Sequence, residues 1–167
     1  MTDHLLTVPR RDPADQRTPD FGSGVSDYAR PRAATMRPPA ESTILVADDD
    51  DDIRDLVSFT LQRAGYQTAG ARGGHNALTL ARDERPQLVV LDLDMPGVDG
   101  LDVCHELRAN PATCDIPILI LSSHAEPNDV DLGLNRGADD YMVKPFRPDD
   151  LVRRVRWLML AAGDPGH

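Results

Sequence analysis

The sequence predicts an α/β protein built on a parallel sheet that is covered by helices on both faces. From Thr43 onward, short apolar runs alternate with amphipathic stretches of helical period, which is the pattern of such a sheet. Glycine and proline residues separate these stretches. Polar residues stand directly after several of the apolar runs. We therefore expect five β-strand and α-helix repeats, with the chemistry at the carboxyl edge of the sheet.

The repeats can be assigned in order along the chain. The predicted strands are residues 44–47, 66–69, 88–91, 118–121 and 141–143. The predicted helices are residues 51–64, 76–82, 101–109, 129–136 and 148–161. Gly65 and Gly137 favour helix ends, and Pro148 favours the first turn of the last helix.

Composition restricts the classes of partner and compartment. The formal net charge is -10 and the pI is near 4.8, so we expect no surface for nucleic acid or anionic membranes. The two cysteines, Cys104 and Cys114, lack the spacing of a zinc site or a disulfide framework. No apolar run is long enough to enter a membrane, and no signal peptide precedes the domain. A cytoplasmic protein is expected.

The chain is predicted to hold one folded domain. Residues 1–41 contain six of the 14 prolines, equal numbers of acidic and basic residues and no apolar periodicity. We interpret them as a disordered leader, residues 42–161 as the domain and residues 162–167 as a short C-terminal tail. The net charge then belongs to the domain. No effector domain is predicted to follow, so output is expected to pass through another protein.

Five polar residues follow the predicted strands. Asp48 and Asp49 follow the first strand, Asp92 the third, Ser122 the fourth and Lys144 the fifth. A parallel sheet brings these positions to one edge. Carboxylates without counter-charges repel one another unless a cation is bound, and a cluster of oxygen ligands with room for water suits Mg2+. The sequence therefore predicts a divalent cation site.

The position of Lys144 distinguishes this site from a chance cluster of acidic residues. Lys144 is the only lysine in a chain whose other basic residues, apart from histidine, are all arginine, so a lysine at a strand end is notable. The neighbouring acids Asp50, Asp51 and Asp52 are instead interpreted as a solvated helix start, where the helix dipole favours aspartate.

Four segments resemble the signature blocks of response-regulator receiver domains. They are residues 44–54, 86–100, 116–126 and 137–146. The resemblance covers roughly residues 42–160. It implies a flavodoxin-like (βα)5 fold with strand order 2-1-3-4-5.

The resemblance also implies roles at the metal site. Asp92 would take a phosphoryl group from a histidine kinase or a phosphotransfer protein. Asp49 and Asp92 would bind Mg2+ directly, Asp48 through water, and Asp94 through its backbone carbonyl. The protein would then be a phosphoacceptor in two-component signalling, with self-catalysed phosphorylation and dephosphorylation, and not a conventional enzyme.

Further roles concern the phosphoryl group and the switch. Lys144 would pair with one phosphoryl oxygen, and Ser122 would hydrogen-bond another. Ser122 and Tyr141 would form the switch that reports phosphorylation to the face built from the fourth helix, fifth strand and fifth helix. Asp94 and His124 would lie beside the path of the hydrolytic water.

The fifth helix is predicted to carry a partner surface. Its apolar stripe leaves Arg153, Arg154 and Trp157 on the outer side, where they are candidate contacts for a downstream effector; packing of Trp157 by the leader or the tail is the alternative. Residues 137–146 most resemble receivers that dimerise through charge pairs on this face. Three residues match that pattern (Asp140, Asp150, Arg154) and three depart from it (Val130, Arg136, Ala161), so the resemblance leaves a homodimer on this face open with an incomplete charge pattern.

Two other functions compete with this interpretation. Asp92-Leu-Asp94 also fits the Asp-x-Asp motif of haloacid-dehalogenase-like phosphatases, but here that strand is third and no cap region remains. A phosphorylation-independent interaction module is the second alternative. Turnover of p-nitrophenyl phosphate would favour the first, and absence of label on Asp92 would favour the second.

Overall fold

The computed structural model describes residues 43–163. The predicted leader, residues 1–41, and residues 164–167 of the predicted tail lie outside this range. Strands and helices alternate through the described part: β1 (Thr43–Ala47), α1 (Asp51–Arg63), β2 (Gln67–Ala71), α2 (Gly74–Glu84), β3 (Leu88–Asp92), α3 (Gly100–Ala109), β4 (Ile118–Ser122), α4 (Pro127–Asn135), β5 (Asp140–Val143) and α5 (Pro148–Ala162). No helix within residues 43–163 is long and apolar enough to cross a membrane.

The five strands form one parallel sheet in the order β2-β1-β3-β4-β5, which confirms the predicted flavodoxin-like fold. Strand order reverses at β1, because β2 lies on one side of it and β3 on the other. The carboxyl ends of β1 and β3 are aligned, with Ala47 paired to Leu91. The same edge continues through β4, where Asp92 pairs with Leu121, and β5, where Ser122 pairs with Val143.

Alternating strand residues build a core on each face of the sheet, because successive side chains point to opposite sides. On one face, Ile44 and Val90 pack with α1 and α5. On the other, Leu45 and Val89 pack with α2 and α3. Cys104 is fully buried in this second core, and burial raises the pKa of its thiol to about 11.

Helix ends follow the local signals in the sequence. The carboxylate of Asp50 caps α1 by accepting from the backbone N–H groups of Asp52 (2.9 Å) and Ile53 (3.2 Å). Gly65 and Gly137 follow α1 and α4 with φ values of 99° and 108°, a region that favours glycine. The predicted helix ends at these two positions are confirmed.

The structure extends α2 by two residues at each end: the helix begins at Gly74 and not at residue 76, and it ends at Glu84 and not at residue 82. Glycine is a weak helix former, so periodicity alone did not place it inside the helix. A Cβ at Gly74 would lie 2.5 Å from the carbonyl oxygen of Val98 and 2.9 Å from Cγ2 of Val103. Packing against this loop and α3 therefore accounts for a glycine in the first turn.

Arg108 connects the segment before β4 to the segment before β5. Its guanidinium donates to the carbonyl oxygens of Gly137 (2.8 Å), Cys114 (2.9 Å) and Ile116 (2.7 Å) and to the carboxylate of Asp139 (2.6 Å). The carboxylate of Asp139 also accepts from the backbone N–H at the start of β4. The side chain of Arg108 is only 23% exposed, so this network fixes the amino-terminal ends of β4 and β5, which are adjacent in the sheet.

Candidate functional site

Three of the predicted site residues meet at the carboxyl edge of the sheet. Asp48 follows β1, Asp92 is the last residue of β3, and Lys144 follows β5. The ammonium group of Lys144 donates to Oδ2 of Asp48 (2.8 Å) and to Oδ1 of Asp92 (3.0 Å). One cation is therefore shared by two carboxylates that are far apart in the chain.

Burial controls the electrostatics of this group. The side chains of Asp48 and Asp92 are 4% exposed and that of Lys144 is 15% exposed. Burial raises the pKa of Asp92, and the hydrogen bond from Lys144 opposes this effect without cancelling it. Burial alone lowers the pKa of Lys144, but the hydrogen bonds to Asp48 and Asp92 outweigh it and raise the pKa overall.

A third carboxylate completes a potential metal-binding group. Carboxylate oxygens of Asp48, Asp49 and Asp92 lie within 4.8 Å of one another, and Asp49 is exposed. Three acids with one lysine leave an excess of negative charge. Because Mg2+ prefers oxygen ligands and retains several waters, this donor set fits the predicted ion.

The carboxylates open onto a cavity of about 450 Å³. Its lining includes Asp48, Asp49, Asp92 and Lys144, together with Asp94, Ser123 and Phe146. The cavity is open to solvent, so small molecules can reach the carboxylate of Asp92.

Two residues that support the site were missed by sequence reasoning. A Cβ at Gly100 would overlap the carbonyl oxygen of Asp92 and lie 2.7 Å from Cα of Leu93, so α3 packs directly on the backbone of Asp92. Arg54, which is buried, donates to the backbone carbonyl of Asp48 (3.0 Å) and pairs with Asp51. The only available signals were a glycine after the capping residue Asp99 and an arginine facing the sheet from α1.

Ser122 and Tyr141 both hold the backbone of His124. The hydroxyl of Ser122 is fully buried and accepts from the His124 N–H (3.1 Å). The hydroxyl of Tyr141 donates to the His124 carbonyl (2.9 Å), and Tyr141 is itself buried. The two predicted switch residues therefore contact one segment, and Ser122 is outside the cavity lining in this state.

Asp94, which lines the cavity, faces His124. Their side chains are about half exposed, and His124 Nδ1 is 3.6 Å from Oδ1 of Asp94. The side chain of Asp94 lines the cavity but takes no part in the carboxylate cluster. The two residues that the sequence placed beside the water path are thus neighbours.

The predicted partner residues of α5 do not form one surface. Arg154 pairs with Asp140 of β5 (2.6 Å), and Arg153 pairs with Asp150 (2.6 Å). Trp157 is 62% exposed and borders a groove between α1 and α5 together with Arg153. The charges that matched the dimerisation pattern are therefore engaged within the chain.

A doubly wound sheet with acidic residues and a lysine at its carboxyl edge defines a class of signalling domain. The chain belongs to the response regulator receiver domain family, which matches residues 44–156. It is a receiver domain of two-component response regulators.

Relatives of known name support this assignment. The DNA-binding response regulator MtrA of Mycolicibacterium smegmatis is 47% identical over 113 residues, which are 68% of this chain and 48% of that protein. The DNA-binding dual master transcriptional regulator RpaA of Synechocystis sp. is 44% identical over 116 residues, which are 70% of this chain and 48% of that protein. The chain thus spans about half the length of these relatives. Their names do not fit our expectation that the chain binds no nucleic acid.

Solved structures agree with the fold. The Francisella response regulator 1452 receiver domain aligns with a TM-score of 0.68 at 33% identity, covering 72% of this chain and 98% of that one. The Vibrio cholerae chemotaxis protein CheY4 aligns with a TM-score of 0.67 at 32% identity, covering 71% of this chain and 98% of that one.

Proposed function

We propose that Asp92 accepts a phosphoryl group from a phosphohistidine of a histidine kinase or a phosphotransfer protein, in a Mg2+-dependent reaction. The observation that carries the proposal is the contact of Lys144 with both Asp92 and Asp48 beside the third carboxylate, in a cavity open to solvent. Membership of the receiver family supports the same chemistry.

The transfer needs a carboxylate nucleophile and neutralised phosphoryl oxygens. An oxygen of Asp92 attacks phosphorus, the bond from phosphorus to the histidine nitrogen breaks, and that nitrogen retains the electron pair and takes up a proton. Lys144 then exchanges its contact with Asp92 for one with a phosphoryl oxygen. Mg2+, held by Asp48, Asp49, Asp92 and the Asp94 carbonyl, would supply the remaining positive charge.

Output follows from the segment that holds His124. In this structure the Ser122 hydroxyl accepts from the His124 N–H. A phosphoryl group on Asp92 would offer this hydroxyl a new acceptor. Movement of Ser122 loosens the segment that Tyr141 also contacts, and the change reaches the surface of α4, β5 and α5. In this proposal the protein is a signalling phosphoacceptor and not a conventional enzyme, although it catalyses its own phosphorylation and dephosphorylation.

Covalent labelling tests the acceptor. With Mg2+ and acetyl phosphate, the protein should gain one phosphoryl group, which reductive trapping and mass spectrometry should place on Asp92. Asp92→Asn should abolish the label, because the amide is a poor nucleophile. Asp94→Asn is the matched control at the other acid of the motif and should retain it. Full labelling of Asp92→Asn would refute the assignment.

The two competing functions have separate readouts. Repeated turnover of p-nitrophenyl phosphate would indicate a phosphatase, although the Asp92 strand is third in the chain as in receivers. An unlabelled but correctly folded protein, with acetyl phosphate and with phosphohistidine donors, would indicate a phosphorylation-independent interaction module.

The lifetime of the phosphorylated form is expected to depend on Asp94 and His124. Asp94 lines the cavity beside Asp92, His124 lies 3.6 Å from Asp94, and neither belongs to the carboxylate cluster through its side chain. Asp94→Met or His124→Ala should change the autodephosphorylation rate several-fold, about 1 kcal/mol in barrier, with Mg2+ affinity nearly unchanged. Loss of label followed over time, alongside Mg2+ titration, measures both quantities. Parent rates in both variants would contradict this placement.

A further inference from the structure

Arg54 is a buried arginine that reaches the acidic edge of the sheet from α1. The residue is only 8% exposed. Its stem passes close to the backbone of β2 at Gly70, where a Cβ would lie 3.4 Å from Cδ of Arg54. Burial of a charged group is unfavourable unless the group is paired and hydrogen-bonded. The position of this guanidinium therefore depends on the acceptors that it contacts.

The guanidinium contacts two acceptors beside the predicted metal ligands. Its Nη1 donates to the carbonyl oxygen of Asp48 (3.0 Å), and its Nη2 pairs with Oδ1 of Asp51. The carbonyl of Asp48 belongs to the peptide bond that joins Asp48 to Asp49. Because a peptide unit is planar, a contact that fixes this carbonyl also fixes the N–H of Asp49. It thereby limits the directions in which both side chains leave the backbone.

The other polar groups of Asp48 are also engaged. Its N–H donates to the carbonyl oxygen of Ala71 (3.1 Å). Its Oδ1 accepts from the N–H of Asp50 (2.9 Å), and its Oδ2 accepts from Lys144 (2.8 Å). The contact from Arg54 to the carbonyl completes this set, so the backbone and the side chain of Asp48 are both held.

We propose that Arg54 is a positioning residue for Mg2+ binding: by holding the peptide between Asp48 and Asp49, it orients both carboxylates for the ion. This inference rests on the proposed function, in which these two acids hold Mg2+. Asp49 is exposed, so its direction depends on the backbone that carries it more than on packing. Asp51 holds the guanidinium at its other end. Without Arg54 the peptide loses a partner and can rotate, and the pair of acids is no longer preset.

The sign of the effect distinguishes positioning from charge. A positive charge close to the acidic group repels a divalent cation. If charge alone mattered, removal of Arg54 would therefore strengthen Mg2+ binding. Positioning predicts the opposite, because a peptide that rotates must be ordered again when the ion binds. Groups that orient metal ligands typically contribute about 10- to 100-fold in metal affinity.

Calorimetric titration of the full chain with MgCl2 measures this difference. Arg54→Met keeps the aliphatic stem and removes every donor, and we expect it to raise the dissociation constant for Mg2+ about ten-fold. Arg54→Lys keeps the charge, but one ammonium cannot span the Asp48 carbonyl and the Asp51 carboxylate as a planar guanidinium does. We expect its affinity to lie between those of Arg54→Met and the parent. This variant also covers the case in which Arg54→Met fails to fold.

Two further variants control for charge and for stability. Arg72 donates to Oδ2 of the same Asp51 carboxylate (2.6 Å) and is 73% exposed. Arg72→Met therefore removes an equal charge nearby without removing the contact to the Asp48 carbonyl, and Mg2+ affinity should stay the same or rise slightly. Val57 is buried on the same helix. Val57→Ala should lower the urea midpoint but leave the dissociation constant for Mg2+ unchanged.

Phosphorylation provides a second readout. At low Mg2+ concentration, acetyl phosphate should label Asp92 more slowly in Arg54→Met than in the parent. At saturating Mg2+ most of this difference should disappear, because Asp92 and Lys144 are unchanged and the ion is bound in both proteins. A purely structural defect would not be corrected by the concentration of Mg2+ in this way.

Two results would overturn the inference and leave the proposed function intact. The first is Mg2+ binding at least as tight as in the parent in both Arg54→Met and Arg54→Lys. The second is an equal loss of affinity in Arg72→Met or in Val57→Ala, which would assign the effect to charge or to stability. A parent protein that binds no Mg2+ would overturn this inference together with the metal dependence of the proposed function.

Discussion

Replacing Lys144 with methionine is expected to lower the free energy of unfolding by about 2–3 kcal/mol at pH 8 without divalent cations. Breaking a buried ion pair by removing one partner costs about 3–5 kcal/mol, and the opening of the cavity to solvent reduces this figure. Asp48 and Asp92 share Lys144 as their counter-charge, and methionine keeps the packing of the stem. Urea denaturation measures the loss.

The stability lost in Lys144→Met should depend on pH, because Asp92 binds a proton more readily without the lysine. Burial already raises the pKa of Asp92 against the opposing hydrogen bond from Lys144, so removal of the lysine raises it further. A carboxyl with a raised folded-state pKa stabilises the protein below its unfolded-state pKa, and that contribution is lost as pH rises through the folded-state value. The deficit of the variant should therefore be largest at pH 8 and shrink towards pH 5.

Mg2+ and a second variant provide the controls. Mg2+ should stabilise the parent and restore more stability to Lys144→Met, because the ion replaces the missing charge. Asp49→Asn should have the opposite effect: it removes one repelling carboxylate, stabilises the metal-free protein and weakens Mg2+ binding. If Lys144→Met unfolds at the parent urea concentration at both pH values, the shared ion pair does not contribute to stability.

Arg108→Met should cost about 3 kcal/mol of unfolding free energy. The guanidinium serves three backbone carbonyls and the carboxylate of Asp139, and hydrogen bonds to a charged group contribute about 1.5–3 kcal/mol each when buried. Partial solvent access replaces some of them. Methionine preserves the contacts of the aliphatic stem but donates nothing, so the carbonyls before β4 and β5 lose their partner.

Two matched variants distinguish the geometry of the Arg108 guanidinium from its charge. Arg108→Lys should recover only a fraction of the loss, because one ammonium cannot reach four acceptors that a planar guanidinium spans. Arg82→Met removes an arginine whose ion pair with Glu106 is about half exposed at 3.5 Å, so it should cost no more than about 0.5 kcal/mol. Equal urea midpoints for Arg108→Met and Arg82→Met would show that the network contributes little.

The fold and the acidic edge could be predicted because both depend on local order in the chain. An apolar run followed by an aspartate or a lysine indicates a strand end, and a parallel sheet gathers such ends by geometry. Asp48, Asp92 and Lys144 were found in this way. The register of the parallel strands then brings these three side chains within contact distance of one another.

The residues that sequence reasoning missed act through backbone atoms of other segments. Gly100 is required by the carbonyl oxygen of Asp92, and Arg108 binds carbonyls up to 29 positions away. Main-chain acceptors leave no mark in a residue pattern. For α5, helical period correctly placed Arg154 and Trp157 away from the core, but it did not distinguish the side towards β5 from the side towards α1, which only the packed structure separates.

Leu56 forms part of the wall of both the cavity beside Asp92 and the groove between α1 and α5. Under the proposed function, a protein that presents a phosphohistidine to Asp92 would approach through this cavity, and a macromolecule seated in the groove would contact the same leucine. We therefore expect large partners at the two sites to compete for the surface of Leu56. Acetyl phosphate is small enough to reach Asp92 in either case. Comparing the rates of phosphorylation by acetyl phosphate and by a protein donor would therefore measure competition at Leu56.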